Sequence, residues 1–492
     1  MNQKDLIFLL TILLLILLII ALAVFYFILP GNDPFNLPGT VSIATPADWI
    51  TPNVTVRHDP VADIRPRMLP AHRIVLSEAQ SSYLMKPTRD GGCLAVSTIK
   101  VNDQESAGPQ AYLLRAVHFR SDGTVLWERQ YDAESFYGYP AALCILPDNG
   151  FAVSLRVSSS DTLAGETTDR LLRFAADGIL MWQTPENQIA PGSLDYLFAV
   201  PDGSVITAGT IQSAPSDPSA GDLDIVLLRF TRDGKQSSSL IVGRTGYDYL
   251  LSASYGVRTG LVLIWQSEAT GSQAAEGGSI LPASKICCYS NDLQEQWITA
   301  LPPDVQLSEV RILPDDQDVL VFTTAPAAAA DTSDTAPAAD SRSTLQHLDP
   351  LGKVDWTYQA SETMAWLVSA VKLSDGRFVL GQLQTVQDWR ELSSLIVLSA
   401  EGQVQQAMDS TPGAIRQMIP TRDGGLTVVS QQALQAIPQP PFVSSIWIDT
   451  AAIIAHYDRN LQLVWRRTID QYRHQLQVDL VVATVDDNLL IG

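Results

Sequence analysis

The sequence predicts an all-β protein: an eight-bladed β-propeller of four-stranded antiparallel blades, preceded by one N-terminal transmembrane helix, with seven blades as the alternative. Three observations carry this expectation. An uncharged apolar run opens the chain, a hairpin pattern closing in Asp-Gly turns recurs along the remainder, and a second hairpin pattern alternates with the first. At 492 residues the chain is too long for one ordinary core, so it requires several domains or one large repeat architecture. Its 46% hydrophobic content excludes a disordered chain. With 32 basic against 53 acidic residues the net charge is −21, which repels phosphate backbones and argues against a nucleic-acid partner. Four cysteines are too few for a disulfide scaffold at this length.

The first element is the run at 6–29, LIFLLTILLLILLIIALAVFYFIL, which carries no charge. As a helix of ~1.5 Å rise per residue it reaches about 36 Å, enough to cross a bilayer with some tilt. A cleaved secretory signal has a shorter apolar stretch that ends at a small-residue site, and here the one such triplet, Ala21-Leu22-Ala23, lies inside the run. The expectation is therefore an uncleaved anchor. Lys4 flanks it on one side, and no Lys or Arg follows until Arg57, which puts a stub of residues 1–5 in the cytoplasm and the rest of the chain outside. This is a single-pass plasma-membrane protein in that reading. Residues 30–39, PGNDPFNLPG, form a Pro/Gly spacer.

The propeller is expected over 40–492. One hairpin unit reads LLRAVHFRSDGTVLW around Asp122 and LLRFAADGILMW around Asp177, and it recurs around Asp233, Asp292, Leu351, Glu401 and Asn460 with a spacing of about 56 residues. Three positions before each turn stand Phe119, Phe174, Phe230, Tyr289, Leu348, Leu398 and Tyr457. Five positions after it stand Trp127, Trp182, Trp297, Trp356 and Trp465, with Ser238 and Gln406 breaking the pattern. The alternating unit appears as ALCILPDNGFAVS, LFAVPDGSVITAG, VSAVKLSDGRFVLG and further copies, ending at LVVATVDDNLLIG. Apolar runs that close on tight Asp-Gly turns are β-hairpins. The second unit supplies strands A and B of each repeat and the first supplies C and D. The chain stops after strand B of an eighth A–B hairpin. The strand-like runs NVTVR (53–57) and HRIVLS (72–77) lead us to expect that 40–79 completes the blade begun by 474–492 and hides two sheet edges.

With Gly123–Trp127, Gly178–Trp182 and Gly352–Trp356, the C–D unit resembles the tryptophan-docking (PQQ-like) repeat of quinoprotein-type β-propellers. That resemblance implies that each Trp packs against a neighbouring blade. The family includes quinone-dependent dehydrogenases, envelope assembly factors and non-catalytic membrane-anchored propellers, and the long A–B runs and the repeat length fit the last group best. In the dehydrogenases an adjacent-cysteine disulfide lies over the cofactor. Cys287-Cys288 looks suggestive beside that, but these two residues align with Leu172-Arg173 and Leu228-Arg229 in mid-strand, where neighbours point to opposite faces. They are expected to be structural, and no cofactor is called for. Cys93 and Cys144 fall in the first two blades, and a bridge between them is permitted outside the cell.

No metal motif is present. His118, His347 and His456 occupy the same position before their turns as Arg173 and Arg229, which marks a structural slot. Catalytic elbows, phosphate loops and zinc helices are likewise missing, which lowers the expectation of an enzyme. Aromatic residues gather just ahead of strand A: Tyr137, Tyr139, Tyr247, Tyr249 and Trp366. They serve either as a rim that stacks sugars or clamps a peptide, or as blade-to-blade packing. The B–C loops are long and varied, at 158–168, 211–222, 267–284, 324–342 and 431–450, and they open on one face, where binding residues concentrate. The functional expectation is a non-catalytic module that binds or scaffolds an envelope protein or glycan. The alternative is a propeller enzyme, quinone-dependent or acting on polysaccharide.

Overall fold

The computed structural model describes residues 84–100, 112–132, 137–158, 167–185, 192–212, 223–243, 247–268, 283–301, 306–313, 318–325, 342–360, 365–385, 391–437, 447–470, 481–483 and 489–491. All lie in the second of two compact units, 76–492. The predicted anchor at 6–29, the spacer at 30–39 and the completing strands in 40–79 are outside the described residues. Among the described residues no helix is long and apolar enough to cross a membrane.

The described residues are all-β. Blade 1 consists of β1 (Leu84–Pro87), β2 (Cys93–Lys100), β3 (Tyr112–Phe119) and β4 (Val125–Asp132). Blade 2 consists of β5 (Tyr137–Ile145), β6 (Phe151–Ser158), β7 (Thr167–Phe174) and β8 (Leu180–Gln183). Blade 3 has β9 (Gly192–Ala199), β10 (Val205–Gln212), β11 (Leu223–Phe230) and β12 (Gln236–Val242), and blade 4 has β13 (Tyr247–Gly256), β14 (Gly260–Glu268), β15 (Ala283–Tyr289) and β16 (Glu295–Ala300). A single parallel pair, Leu223 with Tyr247, joins these two into one sheet. Blade 5 contains β17 (Gln306–Ile312), β18 (Val319–Ala325), β19 (Arg342–Leu348) and β20 (Val354–Gln359). Blade 6 contains β21 (Ala365–Lys372), β22 (Phe378–Thr385), β23 (Glu391–Leu398) and β24 (Val404–Pro412). Blade 7 contains β25 (Ala414–Pro420), β26 (Leu426–Ile437), β27 (Trp447–Tyr457) and β28 (Leu463–Asp470). A last hairpin, β29 (Val481–Ala483) with β30 (Leu489–Ile491), ends the chain.

Burial follows strand order. The B strands read as near-continuous apolar runs because both of their faces are covered, as along β10 (VITAGTIQ). The D strands are outer edges and alternate between exposed and half-buried, as along β12 (QSSSLIV). The cores lie between blades rather than within them. Phe151 and Phe174 of blade 2 stack with centroids 4.6 Å apart and pack on Leu94 and Leu114 of blade 1. Leu171 and Leu194 join blades 2 and 3, and Leu263 and Ile206 join blades 4 and 3. Ile286 and Val321 join blades 4 and 5, Phe322 and Phe378 join blades 5 and 6, and Val379 and Val428 join blades 6 and 7. Each fully buried Phe contributes about 1.5–3 kcal/mol relative to an exposed one. Inner strands run side by side, with β1 next to β5, β5 next to β9, β13 next to β17 and β21 next to β25. The last hairpin returns to the first blade, so that β29 lies beside β1.

The C–D hairpins share one turn. In blade 1 the Gly123 amide donates to the Arg120 carbonyl at 2.9 Å, and the Arg120 amide donates to the Thr124 carbonyl at 2.8 Å. The ladder then slips by one residue between His118 and Phe119, and the same slip recurs in every described C–D pair. Such a bulge needs a left-handed residue at the end of the turn, which explains the recurring Gly. One sequence expectation is corrected here: 431–450 is not all loop. β26 runs on to Ile437 and β27 starts at Trp447, with these two residues paired, because the alternation in QALQAI and WID sustains a longer hairpin.

Candidate functional site

The His/Arg slot has a structural explanation. Each slot residue stands directly across the ladder from the Trp position: His118 from Trp127, Arg173 from Trp182, His347 from Trp356 and His456 from Trp465. The imidazoles face the indoles at centroid distances of 5.5, 5.0 and 5.6 Å in blades 1, 5 and 7. The opposite end of the slot side chain meets an Asp at the A–B turn of the same blade. These ion pairs are Asp90 with His118 at 3.4 Å, Asp148 with Arg173 at 2.8 Å, Asp202 with Arg229 at 2.6 Å, Asp318 with His347 at 2.5 Å and Asp423 with His456 at 3.2 Å. The carboxylate therefore pins the A–B turn to strand C. Burial alone would raise the Asp90 carboxyl, but the Thr88 hydroxyl, the His118 charge and the Gly92 amide outweigh it and hold it below the usual carboxylate range. Among the described residues no group of three or more His, Cys, Asp or Glu is placed to hold a metal ion.

The Trp positions face the following blade. The Trp127 indole N–H donates to the Ala176 carbonyl at 3.1 Å, Trp182 to Arg232 at 2.9 Å, Trp297 to Pro350 at 3.0 Å and Trp356 to Ala400 at 3.1 Å. Each acceptor belongs to the next C–D turn, and the ring lies on that turn's glycine. A Cβ on Gly352 would come within 2.4 Å of Trp297, and one on Gly402 within 2.5 Å of Trp356. Trp465 stacks on His456 and carries the Arg467 guanidinium 5.7 Å above its ring. Where the D strand offers Ser238 or Gln406 instead of Trp, the next turn carries a buried leucine, Leu293 or Leu461, in the left-handed conformation at φ 60 and 58.

The aromatic residues ahead of strand A fall into separate environments. Tyr247 and Tyr249 stack on each other at 6.2 Å, and Tyr249 is 37% exposed. Trp366, at the start of β21, is 54% exposed. Tyr139 is half-buried and engaged: its hydroxyl accepts from Arg156 at 3.2 Å, and the same guanidinium pairs with Asp169 and Asp195. Tyr137 opens β5, and its side chain is outside the described residues. Blades 2, 4 and 6 thus carry these aromatics, and Tyr247 and Tyr249 are in ring contact.

All four cysteines are free and buried. Cys287 joins the core shared with blade 3 and Cys288 the core shared with blade 5, so the adjacent pair points to opposite faces of its strand. Burial pushes the thiols of Cys93, Cys144 and Cys288 up to about 12, which leaves them protonated and unreactive. Sequence reasoning did not single out one further feature, a cavity of about 450 Å³ lined by the ends of β17, β21 and β25. Arg311, Lys372 and Arg416 line it together with Ser369 and Gln417. In the sequence these cations are scattered among 32 Lys and Arg; β21 lies beside β25, and the fold places β17 on the same cavity.

These interlocked blades define the class: a β-propeller. No protein-family model matches the chain, and no curated protein matches it in sequence. Solved structures similar to it include the Dos1 propeller, at 10% identity and a TM-score of 0.41 over 77% of this chain and 83% of that one. A puromycin hydrolase matches at 13% identity and a TM-score of 0.44 over 84% of this chain and 58% of that one. The Synechocystis apocarotenoid oxygenase matches at 12% identity and a TM-score of 0.36 over 61% and 69%. Similarity of this degree carries no argument about substrate or partner.

Proposed function

We propose that the protein is a membrane-anchored, extracytoplasmic propeller of eight blades that binds an envelope protein or glycan without chemistry of its own. The observation that carries the binding role is the exposure of Tyr249 and Trp366 at the start of their inner strands, on the face where the long B–C loops open. Exposed aromatic rings stack on sugars and anchor peptides, and a large indole left in water is a costly residue to keep without such a use. The longest of these loops connects β18, which ends at Ala325, to β19, which starts at Arg342.

Two observations support the eighth blade. Blade 1 buries a second apolar face, with Cys93, Ala95, Val117 and Phe119, and blade 7 buries another, with Val429, Ala452 and Ile454. Among the described residues neither cluster includes a residue of any other blade. Residues 474–492 together with 40–79 would fill the space between them, in keeping with β29 beside β1. The anchor reading rests on the uncharged run at 6–29 and the Lys4 flank.

The test is affinity capture from solubilised envelope and wall polysaccharide with the full chain, beside Tyr249→Ala, Trp366→Ala and a 324–343 deletion. The expected result is one stoichiometric protein or glycan partner that is lost in these variants, with thermal unfolding unchanged. Capture that persists unaltered in all three variants removes this face as the binding surface.

A further inference from the structure

We propose a second binding site, independent of the long-loop face: the cavity between the inner strands of blades 5, 6 and 7 holds a small, multiply charged oxyanion. It lies toward the A–B turns, at the far end of β21 from Trp366. Each wall contributes one cation, Arg311 from β17, Lys372 from β21 and Arg416 from β25. Asp318 is ion-paired with Lys372 and with His347. Three cations thus line one cavity in a chain of net charge −21. Such a focus attracts counter-ions of opposite sign and concentrates them.

Arg416 supplies the second line of argument. The β25–β26 ladder slips between Ile415 and Gln417, which leaves Arg416 as the extra, bulged residue. The A strands of blades 2, 4, 5 and 6 slip at the same place, and their extra residues are Ala141, Leu251, Ser308 and Val368. Bulges re-aim side chains next to functional sites, and here the bulge directs a guanidinium into the cavity wall. Its Nε donates to Gln431 at 3.1 Å, which orients the planar fork while using one of its five donors. The Arg311 guanidinium is likewise oriented, by Ser369 at 3.2 Å and by the Phe322 ring 5.7 Å away. Two oriented guanidinium groups beside an ammonium suit the paired oxygens of phosphate or carboxylate groups. The volume of about 450 Å³ admits a molecule of citrate size.

The experiment titrates the full chain calorimetrically with inorganic phosphate and, separately, with citrate, at fixed ionic strength in chloride. The expected result is saturable one-site binding of at least one probe, weakened about tenfold or more by Arg416→Gln and by Arg311→Gln. Arg416→Lys, which keeps the charge but loses the fork, should fall between. Arg416 is exposed, so its substitution should leave unfolding without anion unchanged and the variant usable. Binding of phosphate alone would assign phosphoryl ligands, and binding of citrate alone would assign carboxylates. The absence of saturable heat from either probe, or equal binding by the wild type and both glutamine variants, overturns the proposal. Neither result depends on capture through the long-loop face.

Discussion

A leucine in the left-handed region costs roughly 1–2 kcal/mol over its ordinary conformation, so its side chain must be needed there. Leu293 and Leu461 are buried at 3% and 1% exposure, and each follows a blade whose D strand lacks the Trp. The turn glycine and the preceding indole thus form one unit, and a buried leucine is its substitute. The rule makes a compensation prediction. Leu293→Gly should lower stability by about 1–3 kcal/mol, because the vacated volume outweighs the relieved strain. Ser238→Trp alone should also destabilise, since the indole then meets the leucine. The double substitution should recover most of the loss, as read from denaturant midpoints, and additive losses would refute the unit. A second prediction concerns the turn carboxylates. Asp90, Asp148, Asp202 and Asp423 are each pushed up by burial but held lower overall by turn hydroxyls or amides and the facing His or Arg. Asp375 is lowered chiefly by its hydrogen bond from Arg377. A carboxyl lowered by folding stabilises above its unfolded value and loses that contribution as pH falls through its folded one. Stability should therefore decline below about pH 4, and an unfolding temperature flat from neutrality down to pH 3 would contradict this.

At the level of the hairpin, the fold was readable because each strand writes its environment into a short local pattern. B strands are apolar throughout, D strands alternate, and Asp-Gly punctuates both turns, so that the four-strand repeat follows from a few residues on either side of Asp122 or Asp177. The blade 7 hairpin extends into 431–450 because its outer segment pairs across the ladder out to Ile437 and Trp447, and pairing partners decide such stretches rather than composition. The two kinds of aromatic position give a contrast to test. Trp356 is hydrogen-bonded to the next blade and packed on Gly402, whereas Trp366 is 54% exposed. Trp356→Ala should cost about 3 kcal/mol, and Trp366→Ala under about 0.5 kcal/mol. Equal effects in equilibrium unfolding would remove the distinction between a docking residue and a surface one.

For the molecule as a whole, stability resides in the contacts between blades. A blade alone leaves both faces uncovered, and the cores shared by successive blades are what cover them. Removing residues 474–492 should uncover the side of β1 that β29 occupies. The expected outcome is a lower, broader unfolding transition and concentration-dependent association through the freed edge, measured by calorimetry and light scattering. A truncated chain that unfolds at the wild-type temperature and stays monomeric would show that closure does not need this hairpin.

The sequence by itself determined the strands, the turns, the four-strand repeat and the positions that would lock it, because these depend on local periodicity and on turn stereochemistry. It also marked the slot shared by His118, Arg173, Arg229, His347 and His456 as structural. Only the tertiary structure decided what those positions meet: the Asp of the A–B turn on one side and, for all of them but Arg229, a Trp across the ladder on the other. It also separated Tyr139, bound to Arg156, from the exposed Tyr249 and Trp366. Finally, it gathered Arg311, Lys372 and Arg416 into one cavity across more than a hundred residues of chain. Contacts between blades join residues a full repeat or more apart, and no local pattern records which side chains will share a space once the strands lie side by side.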